Sequence, residues 1–356
     1  MSFTDLLNTN FVHWVDSARA PESDIVISSR VRLARNLRRI PFPHMLDENT
    51  GKKCVEDIKN AWKNSTETRG MNIVFFNQIP LIDRQILVEK HLISPNHAQS
   101  DSNYRGVLVN DVGSIAIMIN EEDHLRIQCI LPGLQMEEAS KRAQKIDDDL
   151  ENNLDYAFNE KRGYLTSCPT NVGTGMRASV MLHLPGITIS GQTNRIFQNI
   201  NQLGMTIRGL YGEGTEIVGN FYQLSNQVTL GLTEEDIIYN LTSIARQIVE
   251  QERIIREKLK VQMQYQIEDR IGRAYGIITN AKVITSNEAL SLLSDVRLGV
   301  NLGIIKDIKS FTLNELIVAI RPAHLQKRTG KEMTAVERDI TRAEVIKEKL
   351  NAAGSK

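Results

Sequence analysis

Residues 24–37 read DIVISSRVRLARNL, and this stretch predicts how the first half of the chain folds. Its apolar start favours a β-strand at 24–28, and arginines follow at 30, 32 and 35. If the chain stays extended, Arg30 and Arg32 point to the same side, because successive side chains of a strand alternate between its faces. Two neighbouring guanidinium groups suit phosphate oxygens. The alternative is a pair of solvated surface arginines, and this stretch alone does not decide between them.

The rest of the chain divides into a mixed part and a helical part. Strands are predicted at 71–76, 106–109, 115–119, 125–130 and 223–230, and helices at 49–63, 134–162, 233–260, 287–296, 313–320 and 335–351. Composition changes near Gly231, and TEED at 233–236 is typical of a helix N-terminal cap. We therefore predict an α+β fold with a mixed domain at 1–231 and a helical domain at 232–356.

The composition is that of an ordinary globular protein and excludes some classes of function. Hydrophobic residues make up 41% of the 356 residues, which is enough for a sizeable core. Lys and Arg total 43, as do Asp and Glu, so the net charge is zero. A general binder of nucleic acid or membrane surfaces usually has a basic excess. We therefore expect neither a nucleic-acid nor a membrane partner.

Cysteine usage and the apolar runs indicate the compartment. Cys54, Cys129 and Cys168 are widely spaced and form no zinc-binding pattern, so that free thiols in a reducing compartment are expected. The N-terminus lacks the basic and apolar regions of a signal peptide. No apolar run approaches the roughly 20 residues that span a bilayer. These features predict a cytoplasmic protein.

A cluster of acids follows the apolar strand predicted at 115–119. Residues 120–126 read NEEDHLR, which places Glu121 and Glu122 at a strand end. A carboxylate there could hold or deprotonate a nucleophile, or bind a metal ion. The alternative is an acidic turn without a function.

Two glycine-rich segments follow. TSCPTNVGTGMRAS at 166–179 lets backbone N–H groups approach an anion, with Arg177 as a further clamp and Cys168 as a thiol that is reactive only if positive charge lowers its pKa. RGLYGEGT at 208–215 could close as a loop and deliver Glu213, or it could be a hairpin turn. No Walker A pattern occurs, which excludes a P-loop.

Taken together, SSRVR at 28–32, NEEDHLR at 120–126, CPTNVGTGMRAS at 168–179 and RGLYGE at 208–213 resemble the motifs of the phosphagen kinases, the ATP:guanidino phosphotransferases. The resemblance extends from about residue 24 to 230. It implies a glutamine-synthetase-like catalytic domain with an antiparallel sheet flanked by helices. It also implies ATP as phosphoryl donor, with Mg²⁺ bridging the ATP phosphates and no metal ligand from the protein.

The resemblance also implies roles for individual residues. The residues implied to bind the nucleotide are Ser28, Ser29, Arg30, Val31, Arg32, His91, Arg126, Arg177, Ala178, Ser179, Val180, Met181, Arg208, Gly209, Leu210, Tyr211 and Gly212. Glu122 and Glu213 match the carboxylates that grip the acceptor guanidinium, and Glu121 and Cys168 are further catalytic candidates. A guanidinium has a pKa above about 12 and is therefore protonated at neutral pH. A carboxylate must orient it and accept the proton that it loses. Arginines stabilise the charge of the transferring phosphoryl group.

Two departures resemble the bacterial protein arginine kinases within this family. Small-molecule members carry a helical domain before the SSRVR motif, which here begins at Ser28, and the helical region after 232 is additional. RDITRA at 338–343 resembles a phosphoarginine-binding pocket made by Arg338, Asp339, Arg342 and Ala343. On spacing alone, a solvated, salt-bridged helix is the favoured interpretation of this segment, and the resemblance reverses that preference.

The resemblance implies protein arginine side chains as acceptors, in a setting of stress response and protein quality control. The implied partners are misfolded proteins, a stress-gene repressor, a zinc-binding activator protein and a Clp-type ATPase–protease. A homodimer and allosteric regulation by the product are also implied. Two alternatives stay open: a kinase for free arginine or another small guanidino compound, and a non-catalytic adaptor that reads phosphoarginine.

Overall fold

The computed structural model describes residues 2–209 and 218–354, and within these residues the predicted α+β fold is confirmed. The strands are β1 Val26–Arg35, β2 Asn72–Phe75, β3 Gly106–Val109, β4 Ile115–Ile119, β5 Leu125–Pro132, β6 Phe158–Asn159, β7 Gly163–Tyr164, β8 Met176–His183, β9 Met205–Gly209 and β10 Phe221–Asn226. In the described residues, eight of them form one antiparallel sheet in the order β2-β3-β4-β5-β1-β8-β10-β9. The hairpin β6-β7 stands apart.

Helices surround this sheet. They are α1 Phe3–Asn8, α2 Glu48–Asn64, α3 Leu81–Glu89, α4 Pro95–Ala98, α5 Met136–Glu151, α6 Pro185–Ile189, α7 Thr193–Gln202, α8 Glu234–Gln262, α9 Gln264–Asn280, α10 Ser286–Asn301, α11 Ser310–Ala319, α12 Pro322–Thr329 and α13 Ala335–Gly354. None of the helices in the described ranges is long and apolar enough to cross a membrane.

The two faces of the sheet have different environments. Val31 and Leu33 of β1 point into an apolar core, which α2, α5 and α8 cover. On the opposite face, a second core packs Trp14 of the N-terminal segment, α3, α10 and α11 against one part of the sheet. Around Arg30 and Arg32 this face is open, and the polar residues of the central strands lie there.

The predicted cap at the start of the helical region is confirmed. The Thr233 hydroxyl accepts a hydrogen bond from the Asp236 backbone N–H, and the Asp236 carboxylate accepts one from Thr233 N–H. This reciprocal pair begins α8, whose apolar side packs on β8 and β10. The division of the chain at 231/232 stays a prediction.

The single helix predicted at 134–162 is wrong in its second half. Helix α5 ends at Glu151, because Leu154 and Tyr156 enter the core instead of continuing the helix. Ala157 N–H donates to the Asn36 carbonyl at 2.7 Å, so this segment joins the end of β1. The helices α1, α3, α4, α6, α7, α9 and α12 were not predicted.

Candidate active site

The open face of the sheet contains a cavity of about 350 Å³, lined by side chains of β1, β4, β5, β8, β9 and β10, of α3, and of three connecting segments around residues 91–95, 122 and 168–171. Its lining includes all five predicted phosphate-binding arginines: Arg30, Arg32, Arg126, Arg177 and Arg208. It also includes His91, Glu122 and Cys168. The structure thus brings together residues that are up to 178 positions apart in the sequence (208 − 30).

The strand register explains why these arginines meet. Arg32 on β1 lies opposite Gln128 on β5 and opposite Arg177 on β8. Residues that are directly opposite in an antiparallel pair point to the same face, and alternation then places Arg126 and Arg30 there as well. Gln223 of β10, which pairs with Arg208 of β9, continues the row.

Arg30 and Arg32 lie within this guanidinium cluster, mainly among uncharged and positively charged groups. Arg30 donates to Gln223 Oε1 at 2.9 Å and to Ser179 Oγ at 3.4 Å, both uncharged groups. Burial, and then the charges of Arg30, Arg126 and Arg177, hold the pKa of Arg32 well below its ordinary value. Within the described residues, Arg32 Nε is buried without a hydrogen-bond partner. A bound polyanion would supply negative charge to these two arginines and an acceptor to Arg32 Nε.

Glu121 holds one of these arginines in place. Its Oε2 accepts a hydrogen bond from Arg126 Nη1 at 2.6 Å, and its Oε1 accepts one from Ser94 Oγ at 2.6 Å. Burial alone would raise the pKa of Glu121, but the Arg126 charge and the hydrogen bonds outweigh it and lower the pKa to about 2. Glu121 is absent from the cavity lining, so its carboxylate acts through Arg126 in this arrangement.

Glu121→Gln is expected to lower the free energy of unfolding in a pH-dependent way. The folded-state pKa of about 2 lies below the ordinary 4.5, so the stabilisation is complete above pH 4.5 and is lost as the pH falls toward 2. Urea unfolding of wild type and variant should therefore differ more at pH 7 than at pH 3.

The exposed pair Glu138–Arg142 on α5 provides the control, because both side chains are 47% exposed. Glu138→Gln should change stability little at either pH. An equal destabilisation by Glu121→Gln at pH 7 and pH 3 would contradict the proposed ion pair.

The neighbouring carboxylate, Glu122, faces the cavity. Its side chain is exposed, but the partial burial of its carboxylate raises its pKa, reinforced by Asp123 and Glu121 and opposed by Arg126 and Arg32. A carboxylate beside arginines and at the cavity wall can accept a proton from a bound group.

Cys168 lies across the cavity in a short hydrogen-bonded chain. Its Sγ is 3.0 Å from Thr170 Oγ1. Arg177 donates to Asn171 Oδ1 at 3.2 Å and to the Asn226 carbonyl at 2.6 Å, which fixes that guanidinium beside the same loop. All three cysteines are free thiols, as expected, with Cys54 and Cys129 buried.

Sequence reasoning missed the residues that connect the two loops. Asp123 is fully buried and accepts hydrogen bonds from Asn36 Nδ2 at 2.6 Å and Ser167 N–H at 2.8 Å. This carboxylate therefore fixes the Glu122 loop relative to the Cys168 loop. The available signal was its place inside the acidic cluster, which was interpreted only through its two glutamates.

His91 forms another wall of the cavity. Its backbone has φ +61°, and its carbonyl accepts a hydrogen bond from Gln128 Nε2 at 2.8 Å. Burial, together with the charges of Arg30 and Arg321, lowers the pKa of His91 to about 3. The imidazole is therefore neutral at physiological pH.

The other predicted nucleotide-binding residues lie in several places. Val31, Ala178 and Val180 have their side chains in the core on the opposite face. Ser28 and Met181 are buried, Ser29 donates to the Gly133 carbonyl at 2.8 Å, and Ser179 accepts the bond from Arg30. Gly209 ends β9 next to Arg208. Leu210, Tyr211, Gly212 and Glu213 lie outside the described residues.

The RDITRA segment lies on α13, away from this cavity. Arg342 is buried and donates to the carbonyls of Ile320 at 3.0 Å and Ile284 at 2.9 Å, and it forms a short ion pair with Asp339. Ala343 belongs to the core. Arg338 is partly exposed. Because Arg342 is buried, the segment is not the fully solvated helix that its spacing also allowed.

No group of three or more His, Cys, Asp or Glu side chains within 2–209 and 218–354 could hold a metal ion. The cavity instead offers guanidinium groups, which bind anions.

Two family models match successive parts of the chain. The family model described as ATP:guanido phosphotransferase, C-terminal catalytic domain, matches residues 53–255. The model described as Protein-arginine kinase McsB C-terminal domain matches 264–356. The chain is 63% identical over 352 residues to a protein-arginine kinase of Syntrophomonas wolfei, with 98% of each chain covered. It is 46% identical to that of Bacillus subtilis, covering 99% of this chain and 96% of the relative.

Solved structures of the same fold are also similar. A duplicated taurocyamine kinase from Schistosoma mansoni with bound transition-state-analogue components is 30% identical, with a TM-score of 0.59 over 73% of this chain and 36% of that chain. A lombricine kinase has a TM-score of 0.58 at 22% identity, over 70% and 73% of the two chains, and supports the fold alone. The predicted phosphagen-kinase fold is confirmed.

Proposed function

Because the chain belongs to the ATP:guanido phosphotransferase family and, within it, to the protein-arginine kinases, we propose that it transfers the γ-phosphoryl group of ATP to arginine side chains of proteins. Its membership of this family shows that the chain is a phosphotransferase. The observation that carries the proposal is the cavity in which five arginines surround one accessible carboxylate, Glu122.

The arginines hold the triphosphate and stabilise the transferring group. Phosphoryl transfer spreads negative charge over the equatorial oxygens, and preorganised guanidinium groups meet that charge without reorganising. Glu121 and Gln223 keep Arg126 and Arg30 in position. Mg²⁺, when bound to the ATP phosphates, would supply additional charge neutralisation; Arg32 and its neighbours fit the remaining phosphate charge.

Glu122 orients the acceptor guanidinium and takes its proton. As the acceptor nitrogen forms a bond to the γ-phosphorus, the bond from phosphorus to the β,γ-bridging oxygen breaks and ADP leaves. The proton of the attacking nitrogen passes to the Glu122 carboxylate. By family resemblance, Glu213 is proposed as the second carboxylate. Cys168 is proposed to position the guanidinium, because the mechanism needs no covalent phosphoenzyme.

The choice of acceptor rests on the C-terminal region. Residues 264–356 match the C-terminal domain of protein-arginine kinases, and the relatives that share this region are named for protein arginine. The test measures phosphoryl transfer from MgATP to an unfolded protein and to a variant of that protein in which every arginine is replaced by lysine. We expect acid-labile phosphate on the first protein and none on the second. Equal labelling of both would contradict arginine as the acceptor.

We also propose that α13 binds phosphoarginine through Arg338 and Asp339. Arg338 is partly exposed and donates to the Met333 carbonyl at 3.0 Å, and the Asp339 side chain is 23% exposed. Arg342 supports the site from below through Ile320 and Ile284. Product binding there would give the helical region a regulatory role.

The proposed physiological setting is the stress response. The proposed partners are a repressor, misfolded proteins, a zinc-binding activator and a Clp-type protease, and the protein is proposed to be a cytoplasmic dimer.

Asp339→Asn and Arg338→Ala are each expected to weaken phosphoarginine binding about tenfold or more, because each removes a charge-assisted hydrogen bond. Isothermal calorimetry with free phosphoarginine measures this. Replacing Arg342 is avoided, since its buried guanidinium also holds two backbone carbonyls. Glu344→Gln, an exposed change on the same helix, is the control. Unchanged affinity in both variants would exclude this site.

A further inference from the structure

Glu89, the last residue of α3, binds the beginning of a helix that is far away in the sequence. Its carboxylate accepts hydrogen bonds from Ala323 N–H at 2.7 Å, His324 N–H at 3.0 Å and His324 Nδ1 at 2.6 Å. An acid at the C-terminal end of its own helix is unfavourable there. The position of Glu89 is therefore explained by its contacts with α12.

Helix α12 depends on this carboxylate for its N-terminal cap. Its own N-cap residue, Arg321, makes no side-chain capping bond, and Pro322 occupies the first turn. Glu89 supplies the missing acceptors from 234 and 235 positions earlier in the chain. The contact is enclosed, with the His324 side chain 3% and the Glu89 side chain 12% exposed. Enclosed charge-assisted hydrogen bonds hold two elements more firmly than exposed ones do.

The segment that follows Glu89 forms part of the cavity. His91 is two residues further on, and Ile93 and Ser94 line the same wall. Ser94 Oγ donates to Glu121, which in turn holds Arg126. A shift at the end of α3 would therefore move both the His91 wall and the support of a phosphate-binding arginine.

We propose that Glu89 is a positioning residue for ATP, which fixes the His91–Ser94 wall of the cavity by fastening α3 to α12. This rests on the proposed function, because it assumes that the cavity holds the ATP phosphates. The helical C-terminal region thereby contributes to nucleotide affinity without touching the nucleotide.

The contacts at the start of α12 also support a connection between the C-terminal helices and the cavity. Ile320, which directly precedes Arg321, accepts a hydrogen bond from buried Arg342 at 3.0 Å. The charge of Arg321 lowers the pKa of His91, and the charges of Glu89 and Arg342 act on Arg321, so the start of α12 lies near both the cavity wall and the α13 motif.

A second ion pair between the same helices provides the matched control. Lys327 of α12 donates to Asp83 Oδ1 at 2.7 Å, near the start of α3 and away from the cavity. Asp83→Asn removes a contact between α3 and α12 without altering the segment at 91–94. A purely structural role of Glu89 would make its variants behave like Asp83→Asn.

The experiment measures the Kd of MgATP by calorimetry, KM for ATP, kcat and the unfolding midpoint for wild type, Glu89→Ala, Glu89→Gln and Asp83→Asn. Glu89→Ala should raise Kd and KM for ATP about tenfold, because the carboxylate that fastens α3 to α12 is lost, with a smaller change in kcat. Glu89→Gln keeps one acceptor oxygen and should lie between wild type and Glu89→Ala. Asp83→Asn should keep wild-type ATP affinity.

Two results would overturn the inference. In one, both Glu89 variants bind MgATP as wild type does; in the other, Asp83→Asn loses as much affinity as they do. If wild type itself binds no MgATP, the proposed function fails and the inference fails with it. Wild-type binding combined with either of the first two results contradicts the role of Glu89 alone.

Discussion

Glu122→Gln is expected to lower kcat for phosphoryl transfer by about 10²- to 10⁴-fold, the usual contribution of a general base, while MgATP still binds. The amide is nearly isosteric but cannot take the proton of the acceptor nitrogen. The guanidinium cluster that holds the phosphates remains intact. Single-turnover kinetics and calorimetry measure the two effects separately.

Glu56→Gln, an exposed acid on α2 at the opposite face of the sheet, is the control and should keep wild-type kcat. A Glu122→Gln enzyme with more than a tenth of wild-type kcat would remove Glu122 from its proposed role. Loss of MgATP binding together with kcat would indicate a structural effect instead.

The pH dependence of kcat gives an independent check of the same residue. Burial, reinforced by Asp123 and Glu121, raises the pKa of Glu122, and the base must be ionised to work. Activity should therefore fall on the acid side through a pKa above the ordinary 4.5 of a glutamate.

Arg32→Met is expected to have opposite effects on activity and on stability. Loss of one preorganised donor should reduce kcat about 10²- to 10³-fold. Without ATP, the variant should unfold at a higher temperature than wild type, because Arg32 is held near Arg30, Arg126 and Arg177 and its pKa is lowered by burial and by their charges. Charged groups clustered for a ligand reduce the stability of the free protein.

Thermal unfolding with and without MgATP tests this directly. The increase in midpoint caused by MgATP should be smaller in Arg32→Met than in wild type. Arg39→Met, which changes an exposed arginine shortly after β1, should leave both midpoints as in wild type. A destabilised Arg32→Met protein that retains the full MgATP shift would contradict the proposed anion site.

Much of the site was predictable because it depends on local patterns. Alternation along β1 was enough to place Arg30 and Arg32 on one face. The meeting of Arg32 with Arg177 depends on strand pairing across 145 residues (177 − 32), and only the family resemblance indicated it. The role of Glu121 as the partner of Arg126 also depends on a loop conformation, in which Asn120 has φ +54°.

Other features could not be read from local patterns. The helical spacing of Leu150 and Leu154 continues past the end of α5, but Leu154 reaches the core after a turn instead of along the helix. Arg338 and Arg342 were expected to act alike, since they are four residues apart on α13. They differ in the structure, because the Arg342 guanidinium donates hydrogen bonds to the carbonyls of Ile320 and Ile284 in neighbouring segments.

The most direct test of the central claim is transfer of label from γ-labelled MgATP in a mixture of an arginine-rich unfolded protein and free L-arginine. The Glu122→Gln variant is run in parallel. A P–N bond is acid-labile, whereas a phosphoserine ester is not. We predict acid-labile label on the protein, little on free arginine and almost none with Glu122→Gln. Label found mainly on free arginine, or acid-stable label on the protein, would contradict it.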